Sequence, residues 1–194
     1  MDDYLSQIYS VYQQYPQRSV DIIHSISPSQ YRSKQWLVEE MVNWVTEDAP
    51  TILIVGGWYG TYLIPMLKEK YKDCSIIFTD KDPLTVEIAS VLHRKQKGCT
   101  FETHDTHNVK KKYKADVLIN TSCEHMIEIG HQALTNPSTC LYVLQSCDST
   151  DDIGHINTAA STPEFVRKCG LTTEFFQART DLGHKNRFMV IGYK

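Results

Sequence analysis

Two short segments of the chain combine residue types that could bind a ligand and act on it. Gly56, Gly57 and Gly60 follow a run of β-branched and apolar residues, and glycines at such a point let a ligand approach the backbone without meeting a Cβ atom. The run 120–125, Asn-Thr-Ser-Cys-Glu-His, follows a second apolar segment and is polar or reactive throughout. A carboxylate and an imidazole can orient or deprotonate a reacting molecule, and histidine titrates near neutral pH.

An acidic residue stands where a nucleotide-binding βαβ unit needs one. Asp80 ends the apolar run that follows the glycine segment, and a carboxylate there can accept hydrogen bonds from ribose hydroxyls. Asp82 precedes Pro83 and is a natural helix N-cap, which leaves Asp80 for a ligand. We therefore expect a ligand that contains adenosine. The alternatives are that the glycines form only a tight turn and that Asp80 is itself a helix cap.

Further polar residues follow the next predicted strand. The segment 145–148 and the pair His155 and Asn157 lie in a long loop, and loops at the carboxyl ends of strands often carry binding residues. With adjacent strands, His155 and Asn157 could reach the same cleft as His125, or they are ordinary loop residues. Ser122 could line the site or cap the next helix.

The spacing of the histidines does not predict a metal site. His104 and His107 could join Glu124 and His125, but a metal ion needs convergent ligands, and the sequence shows only proximity. We therefore predict no metal. Cys123 is not expected to act as a nucleophile, because no activating partner is evident.

Alternating apolar and amphipathic segments predict the elements that position these residues. We expect an α/β fold, a Rossmann-like doubly wound and mostly parallel sheet with a C-terminal antiparallel hairpin. The final two strands are joined too tightly for a parallel crossover. Strands are predicted at 51–55, 75–79, 100–103, 115–120, 140–145, 172–179 and 187–193, and helices near 60–71, 82–96, 124–134 and 162–169.

The first 49 residues are predicted to form an N-terminal helical cap, followed by a domain over 50–194. Three helical segments precede the break at 48–50, and Trp36, Leu37, Met41 and Trp44 share one face of the third. We expect the cap to pack beside the sheet. In the glycine loop, Trp58 and Tyr59 could either cover a ligand or pack against this cap.

Composition excludes several classes of protein. With 194 residues, 41% hydrophobic residues and a net charge of −3, the chain is expected to be a globular domain without a basic surface for nucleic acid. The basic run 110–114 is interpreted as a solvated face. No apolar run reaches the length of a membrane helix, and the polar N-terminus is not typical of a signal peptide. Six scattered cysteines predict reduced thiols and a cytoplasmic location.

Five segments together resemble a known family. They are 55–60 with the glycines, Asp80, 101–105, 115–120 and the C-terminal segment 187–194. In this order, residues 51–194 resemble the class I S-adenosylmethionine-dependent methyltransferases. In that family the glycine loop passes under the methionine part and the ribose, the acid after strand two holds the ribose, and residues after strand three flank the adenine.

The resemblance implies S-adenosyl-L-methionine as the cofactor and assigns roles to particular residues. From their place after the fourth strand, and not from the resemblance, we expect Asn120, Glu124 and His125 to orient or deprotonate the acceptor. Two departures stand out: Ile54 occupies a position that is usually acidic, and the glycines do not follow GxGxG spacing. The cofactor contacts that the resemblance implies are Gly56, Gly57, Gly60, Asp80 and Asp105. Tyr59, Lys81 and Ser122 are expected to join them because of their place beside these residues.

Several functions remain open at this point. The resemblance implies a methyltransferase, and the absence of an added recognition domain favours a small-molecule acceptor. The altered glycine motif also fits an enzyme that cleaves or cyclises S-adenosylmethionine or transfers its aminocarboxypropyl group. An NAD-dependent reductase fits less well, because the glycines do not follow GxGxxG spacing. A catalytically inactive adenosyl-ligand-binding module is the last alternative, and the oligomeric state is left open.

Overall fold

A computed structural model describes residues 2–106, 111–127, 135, 139–151 and 154–194. The helices are α1 (Asp2–Gln14), α2 (Ser19–Ser25), α3 (Pro28–Met41), α4 (Leu63–Lys70), α5 (Pro83–Leu92) and α6 (Thr162–Cys169), with short 3-10 helices at Pro16–Arg18 and Cys123–His125. The strands are β1 (Thr51–Val55), β2 (Ser75–Asp80), β3 (Cys99–Thr103), β4 (Val117–Asn120), β5 (Leu141–Cys147), β6 (Thr173–Asp181) and β7 (Asn186–Tyr193).

The strands form one sheet in the order β3-β2-β1-β4-β5-β7-β6. The first five strands pair in parallel, and β7 pairs antiparallel with both β5 and β6. The predicted α/β fold and its antiparallel C-terminal hairpin are therefore confirmed. The strand order reverses at β1, which lies between β2 and β4, and open α/β sheets bind ligands outside the carboxyl ends of strands at such a switch point.

Alternate residues of the central strands face two separate apolar layers. Ile52 and Ile54 pack on one face with residues of α3, α4 and α5. Leu53 and Val55 pack on the other face with residues of α6 and the 3-10 helix at Cys123–His125. Because both faces of the parallel strands are covered, β1 and β4 are continuous apolar runs rather than alternating ones.

The N-terminal helices share their core with the sheet domain, as the sequence analysis expected. Leu37 and Met41 of α3 belong to the main core on the first face. Val11 of α1 and Ile22 of α2 form a smaller cluster with Tyr59 and residues of α5. The division of the chain at residue 49 stays a prediction. Within the described residues, the helices fall short of the length and apolar character that crossing a bilayer requires.

Several element boundaries differ from the predicted ones. Helix α4 starts at Leu63 rather than near 60, because Gly60 has a positive φ of 62° that belongs to the preceding loop. Strand β5 continues to Cys147, since it pairs with β7 as far as Arg187. Of the helix predicted near 124–134, the structure has the 3-10 helix at Cys123–His125, and residues 128–134 lie outside the described part of the chain.

Candidate functional site

A cavity of about 1070 Å³ opens at the carboxyl ends of β1, β2 and β4. Its walls come from the loops after the five parallel strands, from α2 and α3, and from the turn before β7. The cavity therefore lies at the switch point of the sheet. Of the residues proposed from the sequence, Gly56, Gly57, Tyr59, Gly60, Asp80, Lys81, Asp105, Ser122, Glu124 and His125 line it.

The loop after β1 is packed so closely that glycine is needed at two positions for the fold alone. A Cβ atom at Gly57 would lie 2.2 Å from a ring carbon of Phe78. At Gly60, which has a φ of 62°, it would lie 2.7 Å from Cδ1 of Ile64. The turn and the ligand loop are thus not exclusive alternatives, because the same close packing that requires glycine brings the backbone to the cavity wall.

Trp58 holds this loop in an unusual conformation. Its φ is 52°, in the left-handed region, where a bulky residue costs on the order of 1–3 kcal/mol unless its surroundings compensate. The backbone N–H of Trp58 donates a hydrogen bond to Oδ2 of Asp80 at 3.0 Å. The carboxylate at the end of β2 therefore fixes the loop at the end of β1.

Asp80 is braced as well as exposed to the cavity. Its Oδ1 accepts a hydrogen bond from the backbone N–H of Asp82 at 3.1 Å. Burial raises the pKa of Asp80, and the backbone donors oppose that rise. Asp82 caps α5 by accepting from the backbone N–H of Leu84 at 2.9 Å, as predicted. Asp80 is therefore not the helix cap.

Lys81 and Asp105 are exposed residues on the same side of the cavity. The backbone N–H of His104 donates to the backbone oxygen of Asp80 at 2.8 Å, which ties the loop after β3 to the end of β2. Ser122 connects the loop after β4 to the glycine loop, because its hydroxyl donates to the backbone oxygen of Gly56 at 3.0 Å.

Two predicted site residues have mainly structural surroundings. Asn120 is fully buried and does not line the cavity. Its Oδ1 accepts from the backbone N–H of Ser122 at 2.8 Å, and its Nδ2 lies 3.2 Å from the sulfur of Met126. Asn120 was expected to contact an acceptor, but in the structure its side chain holds the loop after β4 instead. The side chain of Tyr59 is 1% exposed and packs with the N-terminal helices, so it does not cover a ligand.

Glu124 forms a buried ion pair with Arg187. Nη1 of Arg187 lies 2.6 Å from Oε1 of Glu124, and the guanidinium also donates to the backbone oxygen of Thr121. Burial is the largest single effect on Glu124 and opposes its ionisation, but the Arg187 charge and the hydrogen bonds to the carboxylate together outweigh it and lower the pKa of the carboxyl. Sequence analysis missed Arg187. The sequence does contain a signal for Arg187: a charged residue stands directly before the apolar run 188–191, which predicts a buried strand.

Two histidines meet at the mouth of the cavity. The rings of His125 and His155 lie 4.6 Å apart, centroid to centroid, nearly perpendicular to each other. Asn157 donates from Nδ2 to the backbone oxygen of Met126 at 3.0 Å. The structure thus brings His155 and Asn157 to the segment that contains His125. This agrees with the first of the two alternatives in the sequence analysis, that both residues could reach the cleft of His125.

Lys34 is a further cationic residue on the cavity wall. Desolvation, together with the positive charge of Arg187, lowers the pKa of its ammonium to about 7, although the residue as a whole is only partly buried. The neighbouring Ser33 anchors α3, since its hydroxyl donates to Oε1 of Gln145 on β5 at 3.0 Å. Lys34 is therefore held over the strand ends by a helix that packs on the sheet.

The cysteines, the remaining histidine of the possible metal cluster and the basic run were the other candidates for function in the sequence. Burial raises the pKa of the Cys123 thiol well above its usual value, which leaves it a poor nucleophile at neutral pH. All six cysteines are free. His107, named with the histidines of a possible metal cluster, and Lys110 of the basic run lie outside the described residues. Lys111, Lys112 and Lys114 are exposed.

Solved methyltransferases share this arrangement of strands and helices. N-methyltransferase NodS from Bradyrhizobium japonicum WM9 matches over 88% of this chain and 98% of its own, with 13% identity and a TM-score of 0.66. This is the class I S-adenosylmethionine-dependent methyltransferase fold. No protein-family model and no curated protein matches the chain, so the likeness lies in the fold.

Two further structures with the methyltransferase fold extend the comparison. A SAM-dependent methyltransferase from Aquifex aeolicus has 14% identity and a TM-score of 0.61, with 85% of this chain and 93% of that chain covered. Magnesium protoporphyrin IX methyltransferase from Synechocystis PCC 6803, with bound SAM, has 13% identity and a TM-score of 0.60, with 84% and 80% covered. The cavity described above lies at the switch point of this methyltransferase fold.

Proposed function

We propose that this chain is an S-adenosylmethionine-dependent methyltransferase that acts on a small molecule. The observation that carries the proposal is the hydrogen bond between Asp80 and the backbone of Trp58, which holds an acid and a glycine loop together at the switch point. In the methyltransferase fold these two parts contact the ribose and the methionine portion of the cofactor. The cofactor-bound neighbour supports the same ligand here.

The cofactor end of the cavity is assigned to the loops after the first three strands. The backbone of Gly56, Gly57 and Gly60 would lie under the methionine part and the ribose, and Asp80 would accept from the ribose hydroxyls. Asp105, with Lys81 beside the ribose site, would flank the adenine. The sulfonium carries the activated methyl group, so the residues need mainly to hold donor and acceptor in line.

The acceptor end is assigned to Glu124 and His125. Both line the cavity next to Ser122, which bonds the glycine loop. Because Arg187 keeps Glu124 ionised and fixed in direction, the carboxylate is suited to orient a polar acceptor rather than to take up its proton. A cavity of about 1070 Å³ slightly exceeds the ~300–1,000 Å³ of single small-molecule sites, which is compatible with a cofactor and a small acceptor together.

A second candidate keeps the cofactor and changes the bond that breaks. Ile54 is fully buried in the core, so no carboxylate at that position reaches the amino group of the methionine part. This departure, with the altered glycine spacing, fits an enzyme that cleaves or cyclises S-adenosylmethionine or transfers its aminocarboxypropyl group. The cytoplasmic location and the absence of nucleic-acid binding stay predictions.

The two candidates are separated by binding and product analysis. The purified chain is titrated calorimetrically with S-adenosylmethionine, S-adenosylhomocysteine and NADH, and the incubated mixtures are analysed by mass spectrometry. We expect binding of the first two ligands and recovery of intact S-adenosylmethionine when no acceptor is added. Methylthioadenosine or a homoserine product would favour the second candidate. Binding of NADH alone would contradict both.

A further inference from the structure

The geometry points to a binding site for one divalent transition-metal ion, with Glu124, His125 and His155 as its ligands. Each of these residues offers one ligand atom, and the three atoms lie within 4.8 Å of one another. Two ligand atoms of one ion with bonds of about 2.0–2.2 Å lie no more than ~4.4 Å apart, so the three side chains would close slightly around the ion when it binds. The proposed metal site lies at the acceptor end of the cavity, away from the loops assigned to the cofactor.

The three residues converge from two separate loops. Glu124 and His125 are on the 3-10 helix after β4, and His155 is in the loop after β5. The backbone N–H groups of Ile156 and Asn157 both donate to the backbone oxygen of Glu124 at 2.9 Å. The two loops are therefore joined next to the proposed ligands, which is the convergence that sequence spacing could not show.

Both imidazoles are oriented by backbone carbonyls. Nδ1 of His125 lies 3.0 Å from the backbone oxygen of Gly154, and Nδ1 of His155 lies 2.6 Å from that of Ser149. Donation from Nδ1 places the lone pair of each ring on Nε2. Histidines that bind metals almost always donate the other ring nitrogen in this way.

The carboxylate has one oxygen held and one without a hydrogen-bond partner among the described residues. Oε1 of Glu124 is bound by Arg187 at 2.6 Å, whereas Oε2 is buried and has no such partner there. A buried oxygen of an ionised carboxylate normally has a donor or a cation beside it. Arg187 would act as the outer partner that fixes the ligating carboxylate.

The ligand types select the class of metal. Two imidazoles and one carboxylate suit zinc, iron, cobalt or manganese better than calcium or magnesium, which prefer oxygen ligands only. Three protein ligands leave coordination positions open towards the cavity. Since Arg187 adds a positive charge next to the ion, we expect an acceptor group with negative charge or a lone pair to complete the shell. This role in acceptor binding rests on the proposed function, whereas binding of the ion does not.

The test uses Co²⁺ as a spectroscopic probe on the full chain after treatment with a chelator. We expect one equivalent of Co²⁺ to produce visible absorption bands, and Zn²⁺ to displace it. His155→Ala should weaken Co²⁺ binding by more than the ~10–100-fold typical of changes to outer partners. His184→Ala, which removes another histidine of the cavity wall, is the matched control and should bind Co²⁺ as the wild type does.

The inference is overturned if the wild type gives no stoichiometric Co²⁺ bands, or if His155→Ala and the second variant His125→Ala both bind Co²⁺ normally. Circular dichroism and S-adenosylmethionine titration of each variant show that it is folded. Metal binding without S-adenosylmethionine binding would overturn the proposed function alone. The reverse result would overturn the metal site alone.

Discussion

The two ends of the cavity are built in different ways. At the cofactor end, the glycine loop is held by its own backbone and by Asp80, which lies 22 residues from Trp58 along the chain. At the acceptor end, Glu124 is held by Arg187, which is 63 residues away. The first end depends on local backbone geometry, and the second depends on a pair of charges from the 3-10 helix after β4 and from β7. The two ends should therefore respond differently to substitution.

Breaking the buried ion pair should have the largest effect. Arg187→Met leaves Glu124 buried without its counter-charge, and we expect a loss of about 3–5 kcal/mol in the free energy of unfolding. The double variant Glu124→Gln with Arg187→Met should lose less. Urea unfolding measures both. Equal losses in the single and double variants would contradict an unpaired charge as the cause.

Protonation of His93 should destabilise the support of the glycine loop in mild acid. His93 is 1% exposed and donates from Nε2 to the backbone oxygen of Tyr59 at 2.9 Å. Burial lowers its pKa to about 4, from 6.5. Below pH 6.5 His93 takes up a proton in the unfolded chain but stays neutral in the folded chain. The free energy of unfolding therefore falls as the pH drops from 6.5 towards 4, by about 3 kcal/mol in total.

Urea unfolding of the wild type and of His93→Phe between pH 7.5 and pH 4 measures this effect. The phenylalanine ring keeps the stacking with Phe101 but has no proton to bind. The variant should therefore show a flatter pH profile than the wild type. Parallel profiles would remove His93 as the source.

Removing the carboxylate at the cofactor end should weaken ligand binding. For Asp80→Ala we expect a loss of about 1–3 kcal/mol in the binding free energy of S-adenosylmethionine, since a hydrogen bond to a charged group is lost. Calorimetric titration measures it. Asp82→Ala is the control, because it removes the cap of α5 without removing the proposed ribose contact. An unchanged affinity in Asp80→Ala would exclude Asp80 from the ligand site.

The smallest effect is expected where the two ends meet. Ser122→Ala removes the hydrogen bond to the backbone oxygen of Gly56, which contributes about 0.5–1.5 kcal/mol to stability. We expect turnover to fall more than cofactor affinity, because the loop after β4, which carries the acceptor-binding residues, is no longer held in position against the glycine loop. Steady-state kinetics compared with titration checks this, and a fall in affinity alone would contradict it.

The difference between the two ends also explains what could be predicted from the sequence. The strands, the glycine loop and Asp80 follow from local patterns, since apolar runs, turns and caps depend on neighbouring residues. Arg187 could not be paired with Glu124 in this way, because the contact depends on β7 lying beside β5. The roles expected of Asn120 and Tyr59 were displaced by packing, which residue type does not reveal.

The place of β7 in the sheet has a consequence for synthesis of the chain. Strand β7 enters between β5 and β6 and brings Arg187, long after Glu124 has been translated. Since a domain generally folds as a unit, Glu124 stays without its counter-charge until the last strand has been synthesised.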